Sequence, residues 1–269
     1  MRNQMESADF DSGGKSVAEQ VEQRVDWYVP KWLSSAELPF FEVIDTRSAQ
    51  GRLDLRSKIV TIRDLVLFHG HACDGLLRGM WAMRALADFA LPDQPFDRSD
   101  LMVVSKNSPC LGDIAVYLTG GRARFGTHRL DNDLGVGFQL VKISTGEIWE
   151  VREEAGFFSP QIARWEAKLL TDEISLEEKA EILAVHEAAQ WDWVRQVLLA
   201  SRPQDHYVVK RLDSLELPPP LHIAPRTDTV NRAIEAPKEV ATRYEPDLDQ
   251  ESPLTPTSSL WNERYLSGN

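Results

Sequence analysis

The run from Leu76 to Leu91, LLRGMWAMRALADFAL, constrains this chain more than any other stretch. Its apolar residues recur around the whole helical cylinder, with Leu76, Met80, Met83 and Leu86 on one stripe and few charges between them. A helix that is apolar on every side must be covered on every side, so the rest of the chain has to fold around this one. Pro92 stops it, because proline has no N–H to continue the ladder. Whatever immediately precedes such a helix stands at the margin of the core.

What precedes it is Phe68-His69-Gly70-His71-Ala72-Cys73-Asp74-Gly75. Three metal-competent side chains stand at two-residue steps with small residues between them. In an extended strand His69, His71 and Cys73 would share a side. Gly70 and Gly75 favour an irregular turn between two helices instead. Imidazole and thiolate are ligands for zinc and other borderline metals. Cys73 also opens the following helix, where the helix dipole stabilises a thiolate, so it is poised to ligate or to react.

The second cysteine, Cys110, lies in Asn107-Ser-Pro-Cys-Leu-Gly-Asp113, between a buried strand and a helix. Packing of this turn against the first would give either a four-ligand site or a dithiol pair. Asp113 reads first as a helix cap and second as a carboxylate that orients a ligand imidazole. The one basic, Gly-rich loop runs from Gly120 to Arg129; there Arg122, Arg124 and Arg129 could hold a carboxylate or phosphate. His128 reads as a loop histidine and His186 as a boundary residue of a long helix.

Around these motifs the pattern predicts irregularly alternating helices and antiparallel strands, an α+β fold. An amphipathic helix spans Ser16 to Leu33, and a short helix starts at Thr61 and points at His69. LMVVSKN reads as a buried strand, GDIAVYLTGG as a helix, and VGFQLVKI with EIWEVRE as a hairpin turning at Ser144-Thr145-Gly146. A capping box at Ser175 starts a long helix to about Ser201, its apolar face marked by Leu176, Ala180, Leu183, Trp191, Val194 and Leu198. HYVVKRL follows as a strand.

Beyond Leu212 the composition changes: 8 of the 15 prolines fall in the last 57 residues, with one glycine and no long apolar run. Such a segment is an extended arm with no core of its own, and Trp261, Tyr265 and Leu266 favour its docking on a surface, across a partner subunit in a homodimer. The domain reading is residues 1–60 as an extension, 61–212 as the metal-binding core and 213–269 as the arm. With 30 Lys+Arg against 42 Asp+Glu the net charge is −12, which argues against nucleic acid. The sequence shows neither an apolar span nor a leader-like start, and two cysteines make no disulfide framework; both place the protein in the cytoplasm, away from membranes.

The segment FHGHACDGLLRGMWAMRAL resembles the signature of the FmdE family, named for a component of formylmethanofuran dehydrogenase, whose members open with Phe-His-Gly-His-x-Cys-Pro-Gly. The stretch from Asn107 to Glu153 looks like that family's second block, and PQDHYVVKRL resembles its closing strand. The resemblance runs from about Thr61 to Leu212. It implies an α+β core of helices on a mainly antiparallel sheet, commonly dimeric, with a metal site carried over onto His69, His71, Cys73 and Cys110 and with Asp113 as the second block's acid. Three departures stand out. Asp74 replaces the usual proline, Gly121 stands where many members have another cysteine, and the Pro-rich arm takes the place of a C-terminal zinc ribbon.

Three functions follow as expectations. The first is a metalloenzyme holding zinc or another divalent transition metal and acting on a small anionic or carbonyl-containing substrate, with Asp74 or Asp113 as the acid or base. The second is a non-catalytic carrier of a metal or cofactor for an oxidoreductase, and the third a thiol redox protein working through Cys73 and Cys110. A cavity beside the metal marks an enzyme, and an exposed site marks a carrier.

Overall fold

The computed structural model describes residues 29–34, 36–46, 53–171 and 174–219. Most of the predicted helix from Ser16 to Leu33, and the anchors Trp261, Tyr265 and Leu266, lie outside the described residues. The chain divides into two units, residues 1–44 with 56–226, and residues 45–55 with 227–269. In the second unit the described residues are Asp45, Thr46 and Leu53 to Leu55, all in strands. Everything that follows concerns the first.

The described helices are α1 (Lys31–Ser34), α2 (Ile62–His69), α3 (Asp74–Ala90), α4 (Pro109–Thr119), α5 (Pro160–Leu169), α6 (Leu176–Trp193) and α7 (Pro203–His206). The strands are β1 (Phe41–Thr46), β2 (Leu53–Val60), β3 (Phe96–Asp97), β4 (Leu101–Ser105), β5 (His128–Leu130), β6 (Gly137–Lys142), β7 (Glu147–Glu153) and β8 (Tyr207–Leu212). The main sheet has the order β5–β4–β6–β7–β8, antiparallel throughout except for β4 with β5. A three-stranded sheet has the order β2–β1–β3, with β1 and β3 parallel. The fold is α+β.

Helix α3 is the centre. Leu76, Leu77, Met80, Trp81, Met83 and Leu86 are each at most 2% exposed, on all sides of the helix. It packs on β6, β7 and β8 and against α4 and α7. Pro92 lies just past its last residue, Ala90.

Two features escape the sequence pattern. Strand β5 has only three residues, too short for alternation to show, yet its parallel pairing with β4 makes α4 a crossover helix (Val103 opposite His128). Cys110, just after β4, is thereby carried to the carboxyl end of that strand. The apolar face assigned to the long helix holds only at its end, where Val194 and Leu198 are fully buried and Trp191 packs against the core. Earlier in the helix Leu176 is 86% and Leu183 45% exposed, while Ile182, Gln190 and Trp193 are buried. The helix ends at Trp193 and continues as a π-turn over Val194–Leu198, which shifts the phase of its last turn.

A buried ion pair locks α3 to the sheet. Arg78 donates to Glu153 through Nε (2.9 Å) and Nη2 (2.6 Å), and the Tyr207 hydroxyl donates to the same carboxylate at 3.1 Å. The guanidinium lies 3.6 Å above the Phe158 ring. Both charged side chains are about nine-tenths buried, so removing one partner strands the other without solvent. Arg78→Met is expected to lower unfolding free energy by about 3–5 kcal/mol. The double variant with Glu153→Leu should recover much of that loss, as read by urea denaturation of both proteins.

Candidate metal centre

The site is assembled where α2 ends, α3 begins and α4 begins. His69 is the last residue of α2, and Gly70 caps that helix in the left-handed region, at φ 102°. Only glycine takes this conformation without strain, and it turns the chain sharply out of the helix. Three residues later Cys73 is the N-cap of α3, its sulfur accepting the Leu76 N–H at 3.3 Å. Cys110 follows Pro109 in the first turn of α4.

These three side chains converge. Cys73 Sγ lies 3.5 Å from Cys110 Sγ and 3.8 Å from His69 Nε2, and Cys110 Sγ lies 3.7 Å from His69 Nε2. A tetrahedral zinc with bonds of about 2.3 Å to sulfur and 2.0–2.1 Å to nitrogen separates two sulfurs by about 3.8 Å, and sulfur from nitrogen by about 3.6 Å. The triangle of donor atoms therefore already has the edges of three tetrahedral positions, and the donor set fits a divalent transition metal.

The imidazole is oriented from behind. His69 Nδ1 lies 2.8 Å from Asp113 Oδ2, and the His69 side chain is only 2% exposed. With the proton on Nδ1 donated to the carboxylate, the lone pair on Nε2 faces the sulfurs. Asp113 stands one turn after Cys110 on α4, so one helix face supplies both a donor atom and the group that aims another. The predicted helix cap at Asp113 is not observed: Ser108 occupies the N-cap position, and the Asp113 side chain goes to His69.

Glycine makes the approach possible. A methyl group on Gly75 would come within 3.0 Å of Cys110 Sγ, and one on Gly79 within 2.6 Å of Ile114 Cδ1. The second distance is shorter than real carbon contacts and the first is tight, so α3 meets α4 across a bare stripe at i, i+4. The sequence carries this signal as Gly75-Leu-Leu-Arg-Gly79 inside an otherwise bulky helix, where a glycine costs about 1 kcal/mol of helix propensity and needs a packing reason.

The remaining predicted residues fall elsewhere. His71 is exposed and packs its ring at a tilt against His69, ring centres 4.5 Å apart, outside the donor triangle. Asp74 is buried beside Cys73; its Oδ2 has no hydrogen-bond donor, and the Arg78 guanidinium is 3.5 Å away. Arg122 and Arg124 are exposed, beyond the carboxyl end of α4, about 15 Å along that helix from Cys110. Arg129 is held by two carbonyls, of Gly126 and of Pro218, both at 2.7 Å. Gly121 is buried at the same far end, against Val103 and Thr127. His128 is buried in β5, its Nε2 2.9 Å from Ser105 Oγ, and burial lowers its pKa.

A cleft of about 620 Å³ opens on the two sulfurs. Its near wall holds Cys73, Asp74, Arg78 and Cys110, and its far wall is a face of α6 with Leu183, His186, Glu187, Gln190 and Trp191. His186 Nε2 lies 3.3 Å from Glu166 Oε1 on α5. This far wall has no counterpart among the predicted site residues. The polar residues recurring at 186, 187 and 190 could have marked it, had the apolar stripe been placed correctly.

Residues 68–201 match the model of FmdE, described as the molybdenum formylmethanofuran dehydrogenase operon family. They form an FmdE domain. The donor triangle and the cleft wall on α6 lie within the matched span. A solved structure of a tungsten formylmethanofuran dehydrogenase FmdE-like protein from Syntrophus aciditrophicus is 23% identical, covering 56% of this chain and 69% of that one with a TM-score of 0.34. No curated protein matches. Among the described residues of this FmdE-domain chain, no helix is long and apolar enough to cross a membrane.

The two thiols of the FmdE domain share a proton unequally. Hydrogen bonding from Cys73 is the largest influence on Cys110 and lowers its pKa to about 7, against burial and with help from His69. Hydrogen bonding to Cys110, burial and the neighbouring negative charge all raise Cys73. The Cys110 thiolate thus forms in the fold below the ordinary thiol range, and its stabilising contribution is lost as pH falls through about 7. In metal-stripped protein, alkylation by iodoacetamide should proceed at one thiol with a midpoint near pH 7, and the second should stay slow at pH 8. Peptide mapping of the alkylated protein identifies which cysteine reacted.

Proposed function

We propose that this chain is a metal-dependent enzyme in which His69, Cys73 and Cys110 hold one divalent transition metal, zinc first among them, beside a cleft that receives a small-molecule substrate. The observation that carries this reading is the donor triangle, with edges of 3.5, 3.7 and 3.8 Å, opening on the cleft. A bound ion there would supply a Lewis-acidic centre with an open fourth position. Asp113 keeps the proton on His69 Nδ1 and so fixes the ligating tautomer. Asp74, buried with an unmet acceptor, is the group positioned to take a proton from a bound substrate or water. The cleft favours an enzyme over a carrier, whose ion must be handed out from an open surface. Arg122 and Arg124 have no part in this reading. With both cysteines free, a reducing cytoplasm is the compartment that suits the site.

The 3.5 Å separation of the sulfurs also supports a second reading, a dithiol redox protein. The third donor, aimed by Asp113, favours the metal. Elemental analysis of anaerobically purified protein should find about one transition metal per chain, and Cys73→Ser should remove most of it. Asp113→Asn should keep the fold and weaken metal affinity about 10- to 100-fold, the range for loss of a partner that orients a ligand. Wild type free of metal, with two thiols that cycle reversibly to a disulfide, would instead establish the redox reading.

A further inference from the structure

The two sulfurs of the donor triangle have a second bond open to them. Cys73 and Cys110 are the 2 cysteines of the whole chain, both free and half-buried, and their sulfurs stand 3.5 Å apart. A disulfide holds its sulfurs at about 2.0 Å, so the pair must close by about 1.5 Å, a shift on the scale of a side-chain rotation. Gly75 puts no side chain in the way: a methyl there would stand 3.0 Å from Cys110 Sγ and 4.0 Å from Cys73 Sγ. Both cysteines line the cleft, so a small oxidant reaches them from solvent.

The disulfide and the metal exclude each other. A zinc ion needs both sulfurs as thiolates about 3.8 Å apart, whereas disulfide sulfurs carry no charge and sit too close together. Oxidation leaves His69 as the one donor of the three. We propose that Cys73 and Cys110 form a redox switch on the metal centre: hydrogen peroxide joins them and the metal leaves, and a dithiol reductant restores the site. The inference rests on the metal-dependent reading and adds its regulation; the thiols govern the metal rather than replace it. One thiolate attacks a peroxide oxygen, the S–O bond forming as the O–O bond breaks, and the hydroxide that leaves is protonated to water. The other thiolate attacks that oxidised sulfur; the S–S bond forms, the S–O bond breaks, and a second hydroxide leaves and is protonated. The two sulfurs give up two electrons, one hydrogen peroxide takes them in becoming two waters, and the divalent ion departs. Because the partner sulfur is already in contact, it consumes the sulfenic acid before a second oxidant arrives. In the return step a dithiol attacks through a mixed disulfide, becomes a disulfide itself, and leaves both cysteines reduced.

The test uses full-length protein purified anaerobically, loaded with one equivalent of zinc, and treated with one equivalent of hydrogen peroxide beside a colorimetric zinc chelator. Peroxide should release about one zinc per chain over the untreated control, and both thiols should disappear together. The product should run as a single chain in non-reducing electrophoresis, its mass lower by about 2 Da, the two hydrogens lost relative to the reduced chain. Dithiothreitol should return both thiols and the zinc binding. In Cys73→Ser no second sulfur stands beside Cys110, so peroxide should leave a sulfenic acid that dimedone traps, whereas wild type should give no adduct. Zinc retained with the thiols still reduced, oxidation of a cysteine beyond the sulfenic acid, or a disulfide between two chains would each overturn the proposal and leave the metal-dependent reading standing. Wild type that takes up no zinc would overturn both.

Discussion

Helices α3 and α4 approach each other closely at Gly75 and Gly79, and the metal centre is built at that contact. Cys73 and Cys110 are 37 residues apart in sequence, on the first turns of two helices, and their sulfurs meet beside a glycine that interposes no side chain. At Gly79 the space a methyl would need is already filled by Ile114 and Leu111. A bulkier residue at either position would have to displace the Cys110 sulfur or the ends of Ile114 and Leu111, which pack against α3. Helix α3 itself is buried over its first three turns and tied to β7 by Arg78 and Glu153.

That packing has an electrostatic consequence. Two helix N-termini, each with unsatisfied N–H groups, point toward the same pair of sulfurs, and both favour negative charge there. One thiolate is accommodated, as the lowered Cys110 shows, but a second next to it is opposed by the first, as the raised Cys73 shows. A divalent cation bound there would resolve the conflict by taking the place of the proton and stabilising both thiolates. His69 joins from a third helix end with a neutral nitrogen already turned inward. The site is thus a place where three helix termini meet beside a cleft of mixed polar and apolar lining at the margin of an apolar core.

Much of this was legible in the sequence. The all-round apolarity of Leu76 to Leu91 identified the central helix, and the hairpin at Ser144-Thr145-Gly146 and the closing strand were readable from alternation. His69, Cys73 and Cys110 stood out because residues of that chemistry rarely cluster by chance. Between the two histidines the sequence pattern does not choose, since it does not contain the left-handed conformation of Gly70 that leaves His69 on α2 and turns the chain before His71. Arg122 and Arg124 belong to the one basic, Gly-rich loop of the sequence, but a helix of 11 residues separates that loop from Cys110, and charge composition contains no such distance. The α6 wall was hidden for a related reason. Its cleft-facing residues are mostly polar, as solvent-facing residues are, and only the packing of α5 and α6 beside the sulfurs distinguishes the two.

If His69, Cys73 and Cys110 of a single chain hold a metal and leave its fourth position open, X-ray absorption at the metal edge of protein loaded with one equivalent of zinc will show it most directly. The expected shell is two sulfur scatterers at about 2.3 Å and two nitrogen or oxygen scatterers at about 2.0–2.1 Å, one of them an imidazole lost in His69→Ala. A shell of four sulfurs, which would need cysteines from a second copy of the chain, or a shell without sulfur, would contradict it.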